Sequence, residues 1–350
     1  MTQRSELLAA LAPIVALQPA KASNPLQDTV IIGPDSVCGS GISTYASMAI
    51  EGGPKDHVRV KTADLVNRIS AMKSSEIKLA SRSSKNGPIL EIKGNVVTRM
   101  QTIDILEGLS MSLPDADHKL DGGVFVRALS KVAFACHEDP MTATSAIIVD
   151  DGYAIGTDGR YGAIVQIPKL PACGVTKTFL KAISSLAACD WRVGVSPSQI
   201  VVRCADDTVA SGVLAAALPA KIVVDRVMAP LPHSFRVKRS SLTDVLGSMK
   251  EMSRELARDR VVVTMSEGKI ALDMMDGAAE AEIDAETTGS AQFGLSAKRF
   301  LKMLGMFRGD TIDVEFGAET DIVRVRDLAD SECTDIGFAA QMLEKVSEAA

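Results

Sequence analysis

Aromatic side chains are scarce. They make up 4% of the 350 residues, with one tryptophan, three tyrosines and nine phenylalanines, too few for the stacking platforms on which single-stranded bases lie. Only four histidines occur, and His57, His118, His137 and His233 are dispersed along the chain. The six cysteines, Cys38, Cys136, Cys173, Cys189, Cys204 and Cys333, include no C-x-x-C pair. Neither residue type supplies a zinc ligand set, and the scattered thiols read as small buried apolar residues in a reducing compartment. No apolar run approaches the roughly 18 residues that a membrane-spanning helix needs. The first apolar stretch is preceded only by Arg4 and holds Glu6, so it lacks the positive n-region of a secretory signal. Its Leu7, Leu8, Leu11, Ile14 and Val15 have the spacing of an amphipathic helix. These absences point to a cytoplasmic location away from membranes.

Catalytic motifs are missing as well. Cys136-His137-Glu138-Asp139 sets a nucleophile beside a base, but consecutive helical residues point in different directions, and the run reads as a polar helix end. The Gly156–Gly159 segment has neither the acidic spacing of an EF-hand nor the Gly-Lys-Ser/Thr of a P-loop, and reads as a tight β-turn. Gly39-Ser40-Gly41 is too short to signal a nucleotide site. The expectation is a non-enzymatic protein with no metal and no cofactor.

What the chain does have is a repeat. Amphipathic helices of three to four turns begin near Ser5, Thr62, Val126, Thr176, Ser240 and Ser296, at spacings of 57, 64, 50, 64 and 56 residues. Apolar residues recur with the 3.6-residue period, as in Phe179, Leu180, Ile183 and Leu186 or Phe300, Leu301, Leu304 and Phe307. Ser5, Thr62, Thr176 and Ser296 stand where N-caps belong. Between helices lie β-like runs at 28–32, 145–150, 198–205, 260–265 and 321–327, rich in β-branched residues and separated by turns such as Asp151-Gly152, Asp158-Gly159 and Glu267-Gly268. A single unit leaves a helix face and a sheet face bare, so pairs of units make domains. The fold class is α+β, with domains at 1–115, 120–230 and 233–345 and linkers at 113–123 and 229–234, where Pro and Gly interrupt the periodicity.

A net charge of -6 argues at first against nucleic acid. Windows around the six helices nevertheless carry +10, leaving -16 on the rest. If the helices share a surface, that surface is basic in an acidic body, the footprint of phosphate-backbone binding without base readout. Lys61, Arg68, Arg127, Lys131, Lys250, Arg254, Arg299 and Lys302 are its candidate DNA-facing residues, and Glu138 falls among them as an acidic exception.

At this point the sequence resembles the bacterial beta-clamp family, the DNA polymerase III beta subunits. The segment at 131–168, with its Gly156-Thr157-Asp158-Gly159-Arg160-Tyr161-Gly162 turn, looks like the family's second domain. Those at 261–286 and 293–317 look like its third. The N-terminal part matches in layout, and its 39–50 segment echoes 156–167. The resemblance implies three similar clamp domains, each of two helix-plus-antiparallel-sheet units, with helices lining a head-to-tail dimeric ring around duplex DNA. It implies Lys21 and Lys177 as further DNA-facing residues, bound without sequence preference, and a homodimer as the working form. It also implies a cleft for short peptides from a DNA polymerase subunit, the clamp loader and other clamp-binding-motif proteins. Carried over by position, that cleft holds Thr144, Thr157, Gly159, Arg160, Tyr161, Gly162, Pro219, Arg226, Val227, Phe338, Gln341 and Met342. Two departures stand out. Thr144 and Gly162 replace large apolar residues, and the chain runs on past Ala340-Gln341-Met342-Leu343 where the family ends. A clamp-like interaction scaffold that no longer encircles DNA is the alternative from another class.

Overall fold

Turn chemistry shapes the chain locally. Asp151 and Gly152 both take positive φ, 46° and 85°, the pairing that lets a two-residue loop match the twist of its flanking strands. The computed structural model describes residues 1–19, 21–24, 26–85, 87–104, 112–139, 142–186, 188–212, 219–252, 259–274, 277, 279–317, 322–327 and 335–340.

In chain order the elements begin with β1 (Thr2–Gln3), α1 (Arg4–Leu17), β2 (Thr29–Ile32), β3 (Ser36–Ser40), β4 (Thr44–Ala49) and β5 (Val58–Lys61). Next come α2 (Thr62–Ala71), β6 (Glu76–Ser84), β7 (Gly87–Lys93), β8 (Val97–Gln101), β9 (His118–Asp121) and α3 (Gly122–Ala133). The middle holds β10 (Ile147–Asp150), β11 (Tyr153–Thr157), β12 (Tyr161–Gln166), β13 (Cys173–Val175), α4 (Lys177–Ile183), β14 (Asp190–Val195), β15 (Gln199–Cys204) and β16 (Asp207–Gly212). Then follow α5 (Ala220–Met228), β17 (His233–Lys238), α6 (Arg239–Met252), β18 (Arg260–Ser266), β19 (Lys269–Met274) and β20 (Glu280–Asp284). The last are β21 (Glu286–Thr288), β22 (Ala291–Ser296), α7 (Ala297–Leu304), β23 (Thr311–Phe316), β24 (Ile322–Asp327) and β25 (Ile336–Ala340).

By its contacts the chain divides into two compact units, Met1–Arg127 with Cys173–Ala215, and Ala128–Ala172 with Ala216–Ala350. In the first unit, strands run β1-β6-β7-β8 in one sheet and β5-β2-β3-β4-β16-β15-β14-β9 in another. Helix α1 packs on α2 and α4, burying Leu7, Leu11 and Ile14. The lone Trp191 is buried against Gly122, where any Cβ would strike its ring. In the second unit one sheet runs β20-β19-β18-β22, and a second contains β10-β11-β12-β25-β24-β23-β17-β21 in that order. Phe235, Phe293 and Phe316 meet in its core, the last two with ring centroids 4.5 Å apart.

Two hairpins share one arrangement. Gly41 N–H donates to the Thr44 carbonyl at 3.1 Å, closing the β3–β4 loop, and Asp158 N–H to the Tyr161 carbonyl at 3.2 Å, closing β11–β12. The second strand of each hairpin pairs with a later strand, β4 with β16 and β12 with β25.

Several expectations need correction. A seventh helix, α5, occupies residues just before the expected 229–234 linker, and β9 lies inside the 113–123 stretch. Helices α4 and α7 have seven and eight residues, about two turns rather than three to four. Thr176 and Ser296 do cap, accepting from Phe179 N–H at 3.1 Å and Arg299 N–H at 3.2 Å. Ser5 and Thr62 do not, because α1 and α2 start one residue earlier or at that residue, behind Gln3 and Lys61. Thr62 Oγ1 instead accepts from Gln18 Nε2 at 2.9 Å. Cys136 and Cys173 are buried as expected, but Cys189 and Cys204 are joined as a disulfide, with Cα atoms 6.9 Å apart. No helix among the described residues is long and apolar enough to cross a membrane.

Candidate functional site

The β11–β12 hairpin carries most of the expected cleft residues, and local bonds hold its turn. Thr157 Oγ1 donates to the Tyr161 carbonyl at 2.9 Å and accepts from Gly159 N–H at 3.0 Å. Asp158 Oδ1 accepts from the Arg160 and Tyr161 amides at 2.8 and 3.0 Å. Gly159 takes φ +87°, a backbone region open mainly to glycine.

Strand pleat then sorts the residues onto two faces. On one face Gly162 sits directly opposite Phe338 across β12 and β25. A Cβ at 162 would come within 2.7 Å of both Phe338 Cε1 and the Gly156 carbonyl oxygen, so the Phe338 ring occupies the space that a side chain at 162 would take. The ring joins an apolar cluster of Ile148, Ile155, Ile164, Ala220, Val227 and Ile336. Helix α5 supplies two of these and flanks them with Val223 and Val224. The result is an apolar face bordered by a short helix, with Pro219 as its N-cap residue and Arg226 exposed in its last turn. On the other face, Tyr161 is buried, donates from its hydroxyl to the Phe134 carbonyl at 3.2 Å and lies beneath Arg299. Burial pushes the Tyr161 phenol upward, Asp158 adds to the rise, and Arg299 opposes it.

Two sheet edges form a second pair of features. The outward face of β6–β8 presents Lys78, Arg82, Lys93 and Arg99 around one carboxylate, Glu91. Glu91 is paired with Arg82 at 2.7 Å, Arg99 at 3.0 Å and Lys93 at 3.3 Å. Burial works against its charge, yet these three cations hold its carboxyl below the usual range. The β19–β20 sheet presents the reverse, Asp273, Glu280, Glu282 and Asp284 with Lys269, which pairs Glu282 at 2.8 Å. Among the described residues β8 and β20 each have a strand neighbour on one side only. The expectation that helices hold the positive charge and sheets the negative fails at β6–β8, because averaging over windows hides a face that alternates cation with apolar residue.

No protein-family model and no curated sequence matches the chain. Solved structures do. The beta sliding clamp of Caulobacter crescentus superposes at a TM-score of 0.83 and 16% identity, over 98% of this chain and 99% of that one. The DNA polymerase sliding clamp of Bacillus subtilis gives 0.84 at 12% identity, and the DNA polymerase III beta subunit of Thermotoga maritima 0.82 at 15%, each over 98% of both chains. The fold is that of a beta sliding clamp.

Within this clamp fold the expected cleft residues Thr157, Gly162, Val227 and Phe338 share one apolar face, and Pro219 and Arg226 belong to the helix beside it. Gly159 and Arg160 are exposed on the turn, where the Arg160 carbonyl accepts from Ala340 N–H at 2.7 Å. Tyr161 belongs to the opposite face, and Thr144 is tied by its carbonyl to His137 N–H at 2.9 Å. Gln341 and Met342 lie outside the described residues, as does Arg254. Of the expected DNA-facing cations, Lys21, Lys61, Arg68, Arg127, Lys177, Lys250 and Lys302 are exposed. Among the described residues, Lys131 pairs with Asp335 and Arg299 with Asp158 at 3.2 Å, while exposed Arg68 donates to Thr98 Oγ1 and exposed Lys250 pairs with Glu251 at 3.6 Å. Val223 and Val224 of α5, which pack against the same cluster, are absent from the expected cleft residues.

Proposed function

We propose that the chain is a DNA sliding clamp. It encircles duplex DNA as a head-to-tail homodimer and tethers a DNA polymerase subunit, the clamp loader and other clamp-binding-motif proteins through the apolar face beside α5. It acts in the cytoplasm as a processivity factor and catalyses no reaction. In this reading the chain has three clamp domains, at 1–115, 120–230 and 233–345. Lys21, Lys61, Arg68, Arg127, Lys177, Lys250 and Lys302 face the duplex, and Arg254 is a further candidate.

The observation that carries the reading is a pair of strand edges of opposite charge, open among the described residues, β8 beside a cationic face and β20 on an anionic one, in a chain of clamp fold. An unpaired strand edge is a template for another strand. Two different edges that complement each other make a heterologous contact, which closes into a ring when the rotation permits. Lys131 and Arg299 reduce the free positive charge on the helices, which is the observation that favours a scaffold that has lost DNA encirclement. Light scattering tests the assembly. A ring of two gives about twice the 37.0 kDa of the chain, and a monomer at working concentration contradicts it.

A further inference from the structure

Apolar contact holds helix α5 along one face only. Ala220 and Val227 are buried, two turns apart, and Val223 and Val224 between them are partly buried against the same cluster. Ile222 and Met228 are 59% and 45% exposed. A helix this short is not stable by itself in water, so its attachment depends on what grips its ends. At the N-terminus Pro219 provides no side-chain cap, and Asp150 Oδ2 accepts from Ala220 N–H at 3.0 Å instead.

At the C-terminus the grip is one arginine. Arg324 is 2% exposed. Its Nη1 donates to the Val227 carbonyl at 2.7 Å and the Ala229 carbonyl at 3.2 Å, and its Nε to Glu315 Oε2 at 2.6 Å. The last carbonyls of a helix have no partner within it, and a cation there also opposes the negative end of the macrodipole. Arg324 stands directly opposite Phe338 across β24 and β25, so its side chain rises from the same sheet face as the ring on the groove floor. One guanidinium thus links the sheet that forms the floor to the helix that forms the wall.

We propose that Arg324 is the positioning residue of the peptide groove: by fixing the end of α5 to the sheet it holds Arg226 and Val227 at the distance from Phe338 that partner peptides require. This rests on the groove assignment made under the proposed function. The substitution Arg324→Met suits a test, because the stem volume is kept and Glu315 still has Arg326 at 3.1 Å, so no buried carboxylate is stranded.

Two measurements on the full chain decide it. The first is hydrogen exchange of segment 219–229, with the β18–β19 hairpin as internal reference. The second is affinity for a peptide selected on the wild-type chain from a displayed random library and shown by Phe338→Ala to need the groove. In Arg324→Met, exchange of 219–229 rises at least tenfold, exchange of β18–β19 is unchanged and affinity falls at least tenfold, with partial recovery of both in Arg324→Lys. Unchanged exchange in Arg324→Met overturns the proposal, and so does raised exchange with full peptide affinity. If the library yields no peptide that needs Phe338, the groove assignment fails. The exchange result then still decides whether Arg324 holds the helix.

Discussion

Arg299 lies across the ring of Tyr161, its guanidinium carbon 5.1 Å from the ring centroid, while its Nη2 reaches Asp158 Oδ2 at 3.2 Å. An expected DNA contact is therefore committed to the far side of the groove hairpin. Because Arg299 stabilises the phenolate, Arg299→Met raises the Tyr161 ionisation further, readable from phenolate absorbance in a Tyr45→Phe, Tyr153→Phe background. Tyr45 is raised by burial too. A phenol raised on folding contributes stability that is complete below its unfolded-state value and is lost as pH rises through the folded one. The urea midpoint of the wild type consequently falls at alkaline pH, and less so in a Tyr45→Phe, Tyr161→Phe double variant.

Gly162 and Phe338 are coupled by volume. Gly162→Leu forces the ring or the Gly156 backbone to move, at a cost of about 1–3 kcal/mol by denaturant unfolding. With Phe338→Ala the same change is tolerated better, and the double-mutant cycle gives a coupling of roughly 0.5–3 kcal/mol. Strict additivity means that the ring does not fill the site.

The exposed and the paired cations separate in function. Reversing Lys61, Arg127 and Lys302 to Glu lowers DNA association and flattens its salt dependence, by roughly 0.9 in log–log slope for each phosphate no longer neutralised. Lys131→Met leaves that slope unchanged. It destabilises the fold by about 1–3 kcal/mol, because Asp335 is left without its cation. Equal effects on DNA binding from both sets would remove the distinction.

The proposed ring predicts that charge on the two edges sets assembly. Glu280→Lys with Glu282→Lys on β20 sets like charge against the β6–β8 face and yields monomers by light scattering. Mixing with a Lys93→Glu, Arg99→Glu chain restores a heterodimeric contact. Persistence of wild-type dimers in the β20 variant places the interface elsewhere.

The helix positions and hairpins were legible because their signals are local. The 3.6-residue apolar period marked six helices, and Asp151-Gly152 and Glu267-Gly268 marked two-residue turns. Helix α5 was not legible. Val223, Val224 and Val227 are β-branched and favour strands, and the groups that hold the helix, Asp150 and Arg324, lie 70 and 97 residues from the backbone they grip. Of the candidate site, the Asp158-Gly159 signal marked the hairpin turn, and the cleft residues came from the resemblance to the family. The place of Tyr161 on the far face and the pairing of Arg299 with Asp158 depend on pleat and long-range packing. Composition windows also missed the cationic face of β6–β8, since a strand sends its charges to one side only.

Topological retention on DNA is the most direct check that this fold works as a clamp. The chain, loaded by its cognate loader onto nicked circular duplex, co-elutes with the circle at moderate salt and is released when a restriction enzyme linearises it. Retention that is the same on circular and linear DNA, or no association with either, would contradict encirclement and leave a clamp-shaped scaffold.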